Sequence, residues 1–263
     1  MTPASAVTLD LWHTLVYLTP PDEEAYMNAQ LDLASEVLEE GPPLPGVAVL
    51  SRPELRATFE KVYAEAVAAA QRGVSMTPSQ QLALAAQRAG RAARPERYVE
   101  HLFGLVARTG FREAPGALAS VRALRERGWR TAVISNTVGE PGAALRPVLR
   151  GLGFDRYVEE YVFSDQHPWT KPDPAIFEEA MRRLGVEDAH TVHVGDGWSD
   201  IEGARRARLR AGILYTGLQS YGARYASLFL PPGWAAPSAE YRIDRLEELP
   251  PLVGRLLAPR SEG

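Results

Sequence analysis

Four separate segments of this chain carry polar side chains suited to phosphoryl chemistry. The residues are Asp10, Ser135, Lys171, and the pair Asp196 and Asp200. A carboxylate such as Asp10 can attack phosphorus and carry the phosphoryl group as an aspartyl-phosphate, a form of covalent catalysis. The Ser135 hydroxyl, together with backbone N–H groups at Ser135 and Asn136, can hold phosphate oxygens. Taken singly, Asp10 is better explained as a helix cap, Ser135 nearly as well as one, and Asp200 is compatible with the same role.

Lys171 is notable because almost every other basic residue of the chain is Arg, and Lys61 is the only other Lys. It lies in a loop that Pro172 and Pro174 make stiff. A compact ammonium group there would neutralise both the nucleophile and the transferred phosphoryl group. The alternative is that Lys171 is a solvated surface charge without a role in catalysis.

Asp196 and Asp200 are four residues apart at a predicted turn from a strand to a helix. If both approach Asp10, three anions converge on one Lys. Two like charges about 4 Å apart repel by about 4 kcal/mol at an effective dielectric constant near 20, so the group needs another cation. Magnesium suits hard oxygen ligands and phosphate. We therefore expect Mg²⁺ as the cofactor, bound by Asp10, Asp196 and Asp200.

The elements that must position these residues form two patterns. Residues 5–10 are predicted to form a buried strand, and the next comparable strand is 129–135. The region between them is predicted to be helical, because it has amphipathic stripes and capping boxes at Ser51 and Thr77. From about residue 115 to 243, helices and strands alternate, which indicates an α/β fold with a parallel sheet. In such sheets the active site lies at the carboxyl ends of the strands, where the polar residues stand.

In this order, four segments resemble the four motifs of the haloacid dehalogenase superfamily: 10–15, 133–137, 164–177 and 193–204. The resemblance implies a Rossmann-like core domain, residues 1–16 and 113–263, and an inserted all-helical type 1 cap domain, residues 17–112. It implies a hydrolase in which Asp10 and Lys171 are catalytic and Thr14 orients the first loop. Phosphate would contact Ser135, Asn136 and Lys171, and Mg²⁺ would bind Asp10, Asp196, Asp200 and the backbone carbonyl of Trp12.

Trp12 departs from the phosphatases of that superfamily, which have an Asp there as general acid and base. Its carbonyl still suits a metal, but its side chain transfers no proton. General acid–base help is typically worth about 10²- to 10⁴-fold in rate. We therefore expect a good leaving group, such as an acyl phosphate, a phosphoanhydride or an aryl phosphate. On an extended segment the adjacent His13 would face away from Asp10.

Three alternatives remain open. Some members without the second Asp are 2-haloacid dehalogenases, which attack carbon without a metal, although the Asp196 and Asp200 pair resembles the magnesium-binding form. Phosphonoacetaldehyde hydrolases use a cap lysine, for which Lys61 is the candidate, but Lys61 falls on a polar helix face. The third alternative is a phosphate- or partner-binding protein whose catalysis has decayed.

In the cap, Arg56, Arg88 and Arg97 would either pair with an anionic substrate or be solvated.

The bulk composition narrows the function further. The formal net charge is −4 and the basic residues are dispersed, which argues against nucleic-acid binding. The chain has no Cys, which excludes disulfides, thiolate nucleophiles and zinc–sulfur sites. With no membrane span or signal segment in the sequence, we expect a cytoplasmic monomer or homodimer acting on a small phosphorylated metabolite.

Overall fold

A computed structural model of the protein describes residues 4–218 and 239–258. Its central sheet has six strands, all parallel, in the order β5-β4-β1-β6-β7-β8. The strands are β1 (Ala6–Leu9), β4 (Arg130–Ser135), β5 (Glu160–Phe163), β6 (Thr191–Gly195), β7 (Ala211–Tyr215) and β8 (Tyr241–Ile243). The predicted α/β class with a parallel sheet is confirmed.

Helices cover both faces of this sheet, as parallel strands require. They are α5 (Ala117–Glu126), α6 (Gly142–Gly151), α7 (Pro174–Leu184), α8 (Trp198–Arg206) and α9 (Leu249–Leu256). Alternate strand residues point to opposite faces, so Val7 and Leu9 join one apolar cluster while Ala6 joins another. The second cluster includes Ile176 and Phe177 of α7. Burial on both faces explains the nearly continuous apolar runs of the strands.

A four-helix insert interrupts the core after its first strand. It consists of α1 (Pro20–Glu40), α2 (Arg52–Ala70), α3 (Pro78–Arg88) and α4 (Pro95–Arg108). The short antiparallel strands β2 (Val16–Tyr17) and β3 (Arg112–Glu113) pair where the chain enters and leaves it. The predicted capping box is present at Thr77, whose hydroxyl accepts from the Gln80 N–H at 3.2 Å while the Gln80 side chain accepts from the Thr77 N–H at 2.8 Å. The helices α1–α4 fall within 17–112, and the domain division at these positions stays a prediction.

The insert is also attached to the core by backbone hydrogen bonds beside Lys171. The Ser75 N–H donates to the Pro168 carbonyl at 3.1 Å, and the Thr170 N–H donates to the Gly73 carbonyl at 3.0 Å. The loop between α2 and α3 therefore pairs with the segment that leads into Lys171. None of the helices in 4–218 and 239–258 has the length and apolar composition needed to cross a bilayer.

Candidate active site

Three adjacent strands carry the predicted site residues to one edge of the sheet. Asp10 directly follows β1, Ser135 is the last residue of β4, and Asp196 directly follows β6. Because β4, β1 and β6 are neighbours and parallel, their carboxyl ends meet. The site therefore stands where the alternation of helices and strands predicts it.

Lys171 is the centre of this arrangement. Its ammonium group contacts Asp10 Oδ1, donates to Asp200 Oδ1 at 2.6 Å, and donates to the Ile134 carbonyl at 3.0 Å. The residue is only 2% exposed, so the solvated alternative is excluded. Burial alone would lower the pKa of Lys171, but the charges of Asp10 and Asp200 outweigh it and raise that pKa above its usual value. Lys171 is therefore a permanent cation.

Asn136 holds the backbone of Lys171. Its amide nitrogen donates to the Lys171 carbonyl at 3.0 Å, and its amide oxygen accepts from the Lys171 N–H at 2.9 Å. The side chain of Asn136 thus positions Lys171. The predicted phosphate contact of Asn136 stays a prediction.

Ser135 presents a hydroxyl that the described residues do not satisfy. The residue is fully buried, and within 4–218 and 239–258 no group hydrogen-bonds to its Oγ. A buried hydroxyl without a partner costs about 1–3 kcal/mol, so such groups are rare unless a ligand completes them. The Ser135 hydroxyl is therefore suited to a phosphate oxygen.

Asp10, Asp196 and Asp200 form an acidic cluster. Each offers one carboxylate oxygen, and these three oxygens lie within 4.8 Å of one another. Burial raises the pKa of Asp10, and the charge of Asp200 adds to that rise while Lys171 opposes it. Burial also raises the pKa of Asp196, which the charges of Asp10 and Asp200 raise further. One ammonium group therefore does not balance three carboxylates. Carboxylate oxygens are the hard donors that Mg²⁺ prefers.

His193 is a second hydrogen-bond partner of the Asp200 oxygen that Lys171 contacts. The Nε2 of His193 lies 3.0 Å from Asp200 Oδ1, and its Nδ1 lies 2.9 Å from the Thr8 hydroxyl. Because a carboxylate only accepts, Nε2 carries the hydrogen in this contact. Burial alone would raise the pKa of Asp200, but Lys171 and His193 lower it well below its usual value. The role of His193 was not predicted from the sequence, although a polar residue inside the apolar run of β6 is a usable signal.

Comparison with known proteins agrees with this geometry. Residues 4–208, more than half of the chain, match the family described as haloacid dehalogenase-like hydrolase. The chain belongs to the haloacid dehalogenase-like hydrolases. It is 36% identical over 139 residues to a plasmid-encoded phosphoglycolate phosphatase of Cupriavidus necator, a match that covers 53% of this chain and 54% of that protein. The chain thus spans about half the length of this curated relative.

Two solved structures resemble this hydrolase along nearly its whole length. A haloacid dehalogenase-family phosphatase from Thermococcus onnurineus has a TM-score of 0.63 and 20% identity, covering 95% of this chain and 98% of that one. A 2-haloacid dehalogenase from Pseudomonas syringae has a TM-score of 0.60 and 25% identity, covering 96% and 99%. The first likeness is one of fold alone. The phosphatase and the dehalogenase thus share the architecture of this hydrolase.

His13 lies on the site side of the first loop of this hydrolase, not away from it. Its Nδ1 is 3.8 Å from Asp196 Oδ2, and its Nε2 is 3.3 Å from Oε1 of Glu23 in α1. The expectation that it faces away was wrong because it assumed extended backbone, whereas His13 has φ 56° and is left-handed. Thr14 follows, and its hydroxyl reaches Asp10 Oδ2 at 3.5 Å, a long hydrogen bond that ties the loop to Asp10.

Trp12 points its indole towards the insert. The ring packs edge-on against Phe111 at 5.3 Å and lies 6.2 Å from the ring of Tyr26. Its Nε1 donates to Oε1 of Glu140 at 3.0 Å, and Oε2 of Glu140 accepts from the Gln30 amide at 3.4 Å. Burial raises the pKa of Glu140 to about 7, although the hydrogen bond from Trp12 opposes the rise. Glu140 was not predicted as a site residue, because no motif or pattern in its neighbouring sequence distinguishes it.

The insert directs its candidate cations outward. Arg56 pairs with Glu60 at 3.1 Å and Arg88 pairs with Glu65 at 2.7 Å, in exposed ion pairs within the insert. Arg97 likewise pairs with Glu40, and Lys61 is exposed. The structure favours the solvated alternative for all of them, and Lys61 is not placed as a Schiff-base lysine.

Proposed function

We propose that this hydrolase is a Mg²⁺-dependent phosphatase that acts through an aspartyl-phosphate on a small phosphorylated metabolite. The observation that carries the proposal is the buried Lys171 ammonium group, held between Asp10 and Asp200 with Asp196 beside them. This set offers a nucleophile, a fixed cation for the phosphoryl group and oxygen ligands for a divalent metal. A purely structural ion pair does not need the third carboxylate.

In the proposed reaction, a carboxylate oxygen of Asp10 attacks phosphorus. The bond from phosphorus to the leaving-group oxygen breaks, and the electron pair departs with that oxygen. Lys171 and the Ser135 hydroxyl hold the phosphoryl oxygens during transfer. Water then cleaves the aspartyl-phosphate, which releases inorganic phosphate and restores the Asp10 carboxylate.

The metal would be held by Asp10, Asp196, Asp200 and the backbone carbonyl of Trp12. When bound, Mg²⁺ neutralises charge on the phosphoryl oxygens and on the crowded carboxylates. The chain's own residues fix the rest of the geometry. Asp200 bonds the ammonium group of Lys171, and the Asn136 amide bonds its backbone carbonyl. His193 is also hydrogen-bonded to Asp200 and helps to fix its position.

The leaving group of the substrate follows from Trp12. Its Nε1–H is engaged with Glu140 and is far too weakly acidic to protonate a leaving oxygen. Without an acid at position 12, a leaving group that needs little protonation is favoured, which means an acyl phosphate, a phosphoanhydride or an aryl phosphate over an alkyl phosphate. The helices α1–α4 would act as a type 1 cap that encloses this reaction.

The test is release of inorganic phosphate from acetyl phosphate and from p-nitrophenyl phosphate. The proposal expects turnover that requires Mg²⁺ and is abolished by Asp10→Asn. The second candidate is a 2-haloacid dehalogenase, which Trp12 and the likeness to a solved dehalogenase favour. Release of chloride from 2-chloropropionate without metal would establish that candidate and reject the phosphatase. A folded protein without turnover on either substrate class would indicate a binding protein.

A further inference from the structure

One face of α1 presents polar residues to the core. Glu23, Tyr26 and Gln30 are spaced i, i+3, i+7, which places them on one side of the helix. They are 7%, 4% and 2% exposed, respectively. We name these three residues the α1 polar face. A buried helix face normally carries apolar side chains, so this composition needs an explanation.

Each residue of the α1 polar face has a buried polar atom without a hydrogen bond to any described residue. These atoms are Glu23 Oε2, the Tyr26 hydroxyl and Gln30 Oε1. The Tyr26 hydroxyl interacts with Gln30 and Glu140, yet no hydrogen bond of good geometry satisfies it. The orientation of the Gln30 amide is fixed, because its nitrogen donates to the Gly139 carbonyl at 3.1 Å and to Glu140. Three unsatisfied groups on one face point to a ligand that completes them.

The α1 polar face lies beside the proposed active site. Oε1 of Glu23 is 3.3 Å from the imidazole of His13, which itself lies 3.8 Å from Asp196. The ring of Tyr26 lies 6.2 Å from that of Trp12, two residues after Asp10. Glu23 is therefore separated from Asp196 by the single side chain of His13. Tyr26 and Gln30 continue the same side of α1 from there.

The polar atoms that this face leaves open are mainly hydrogen-bond acceptors. The unsatisfied atoms of Glu23 and Gln30 only accept hydrogen bonds, and Glu140 adds a second buried carboxyl group beside them. The basic residues of 17–112 lie elsewhere. Arg91 is buried, but it donates to the backbone carbonyls of Glu39 and Gly41 at 3.1 and 3.0 Å. The others are exposed or paired at the surface.

We propose that the α1 polar face binds the non-phosphate part of the substrate, and that this part presents a hydroxyl or ammonium group and no carboxylate. The inference rests on the proposed phosphatase function and names its substrate class. A hydroxyl or ammonium donor satisfies the acceptors of Glu23 and Gln30. A carboxylate has no hydrogen to donate to the open acceptors of Glu23 and Gln30.

Three two-carbon ligands test this inference, because they differ only in the group that meets α1. They are 2-hydroxyethyl phosphate, phosphoethanolamine and phosphoglycolate, which end in a hydroxyl, an ammonium and a carboxylate. Their dissociation constants are measured by calorimetry with Mg²⁺ on the full chain carrying Asp10→Asn, so that no turnover interferes. We expect phosphoglycolate to bind at least tenfold more weakly than the other two.

Variants show which residue sets that ratio. Adding Glu23→Gln removes the charge and should reduce the discrimination against phosphoglycolate several-fold. Glu39→Gln makes the same change at an exposed position of α1 and should leave the ratio unchanged. Thermal unfolding of each variant confirms that it is folded. If Glu23→Gln does not fold, Tyr26→Phe replaces it and should weaken 2-hydroxyethyl phosphate selectively.

The inference is overturned if phosphoglycolate binds as tightly as the other two ligands, if none of the three binds, or if Glu23→Gln leaves the ratio intact. Its failure is distinct from failure of the proposed function. Tight binding of phosphoglycolate together with Mg²⁺-dependent turnover of acetyl phosphate would reject only the substrate class. Absence of acetyl phosphate turnover would reject the phosphatase itself.

Discussion

The indole Nε1 of Trp12 donates a 3.0 Å hydrogen bond to the buried carboxylate of Glu140. This contact joins the loop after β1 to the loop after β4, and Gln30 of α1 reaches the same carboxylate. The position at which the family resemblance places a general acid thus holds a donor that faces the insert. Trp12 therefore has a structural partner, and proton transfer to the leaving group is not its role.

Loss of this contact should cost stability. Trp12→Phe keeps most of the ring packing but leaves a Glu140 oxygen buried without its donor, which should lower the free energy of unfolding by about 1–3 kcal/mol. Urea unfolding of the variant and of the unmodified protein measures this difference in free energy. Trp169→Phe is the control, because Trp169 is half-buried and its ring stacks on His167. Equal losses in the two variants would show that the hydrogen bond contributes nothing.

The identity of the leaving group should dominate the rate. Because Trp12 supplies no acid, kcat/KM for acetyl phosphate should exceed that for a simple alkyl phosphate by about 10²-fold or more. Steady-state phosphate release on the two substrates measures the ratio. An alkyl phosphate that is turned over as fast as acetyl phosphate would show that another group donates the proton.

Lys171 should be essential to both stability and activity. Lys171→Met removes the ammonium group that bonds to Asp10 and Asp200, and breaking a buried ion pair in this way costs about 3–5 kcal/mol. Lys61→Met makes the same change at an exposed position and should alter the unfolding free energy by no more than about 0.5 kcal/mol. Chemical unfolding and acetyl phosphate turnover of both variants test the contrast, which a fully active Lys171→Met protein would refute.

Magnesium should stabilise the folded protein through Asp196. A ligand that binds only the folded state at 100 times its Kd adds about 2.7 kcal/mol, so saturating Mg²⁺ should raise the Tm. Asp196→Asn should remove most of that rise because it deletes one of the three clustered carboxylates. Glu187→Gln, at an exposed acidic residue, should keep it. If Mg²⁺ does not change the Tm of the unmodified protein, the metal assignment is contradicted.

The strand ends of the site were predictable from sequence, because apolar runs and parallel connectivity determine where Asp10, Ser135 and Asp196 lie. The contact of Lys171 with Asp10, expected from the rarity of Lys in this chain and from the family resemblance, is observed. His13 was misplaced because a left-handed backbone at a non-glycine residue leaves no mark in an apolar pattern.

The second layer of the site was not predictable. Glu140 and the α1 polar face depend on the packing of the insert against the core, and residues far apart in sequence meet there. Gln30 and Glu140 are 110 positions apart. The position of a polar residue in the sequence of a helix does not show whether it faces the core or solvent. Only the tertiary contact distinguishes the two cases. The amide of Asn136 is a similar case, since its bonding to Lys171 follows from a loop conformation.

Chemical trapping of the phosphorylated nucleophile tests the central claim most directly. With Trp12 in place of the acid and base, attack of water on the aspartyl-phosphate should be slow, so the intermediate should accumulate. The protein is mixed with acetyl phosphate and Mg²⁺, quenched in acid, and analysed by intact mass and peptide mapping. The account predicts the added mass of one phosphoryl group, located on Asp10 and absent without Mg²⁺. Phosphate release without any phosphoryl group on Asp10, or a label on another residue, would contradict it.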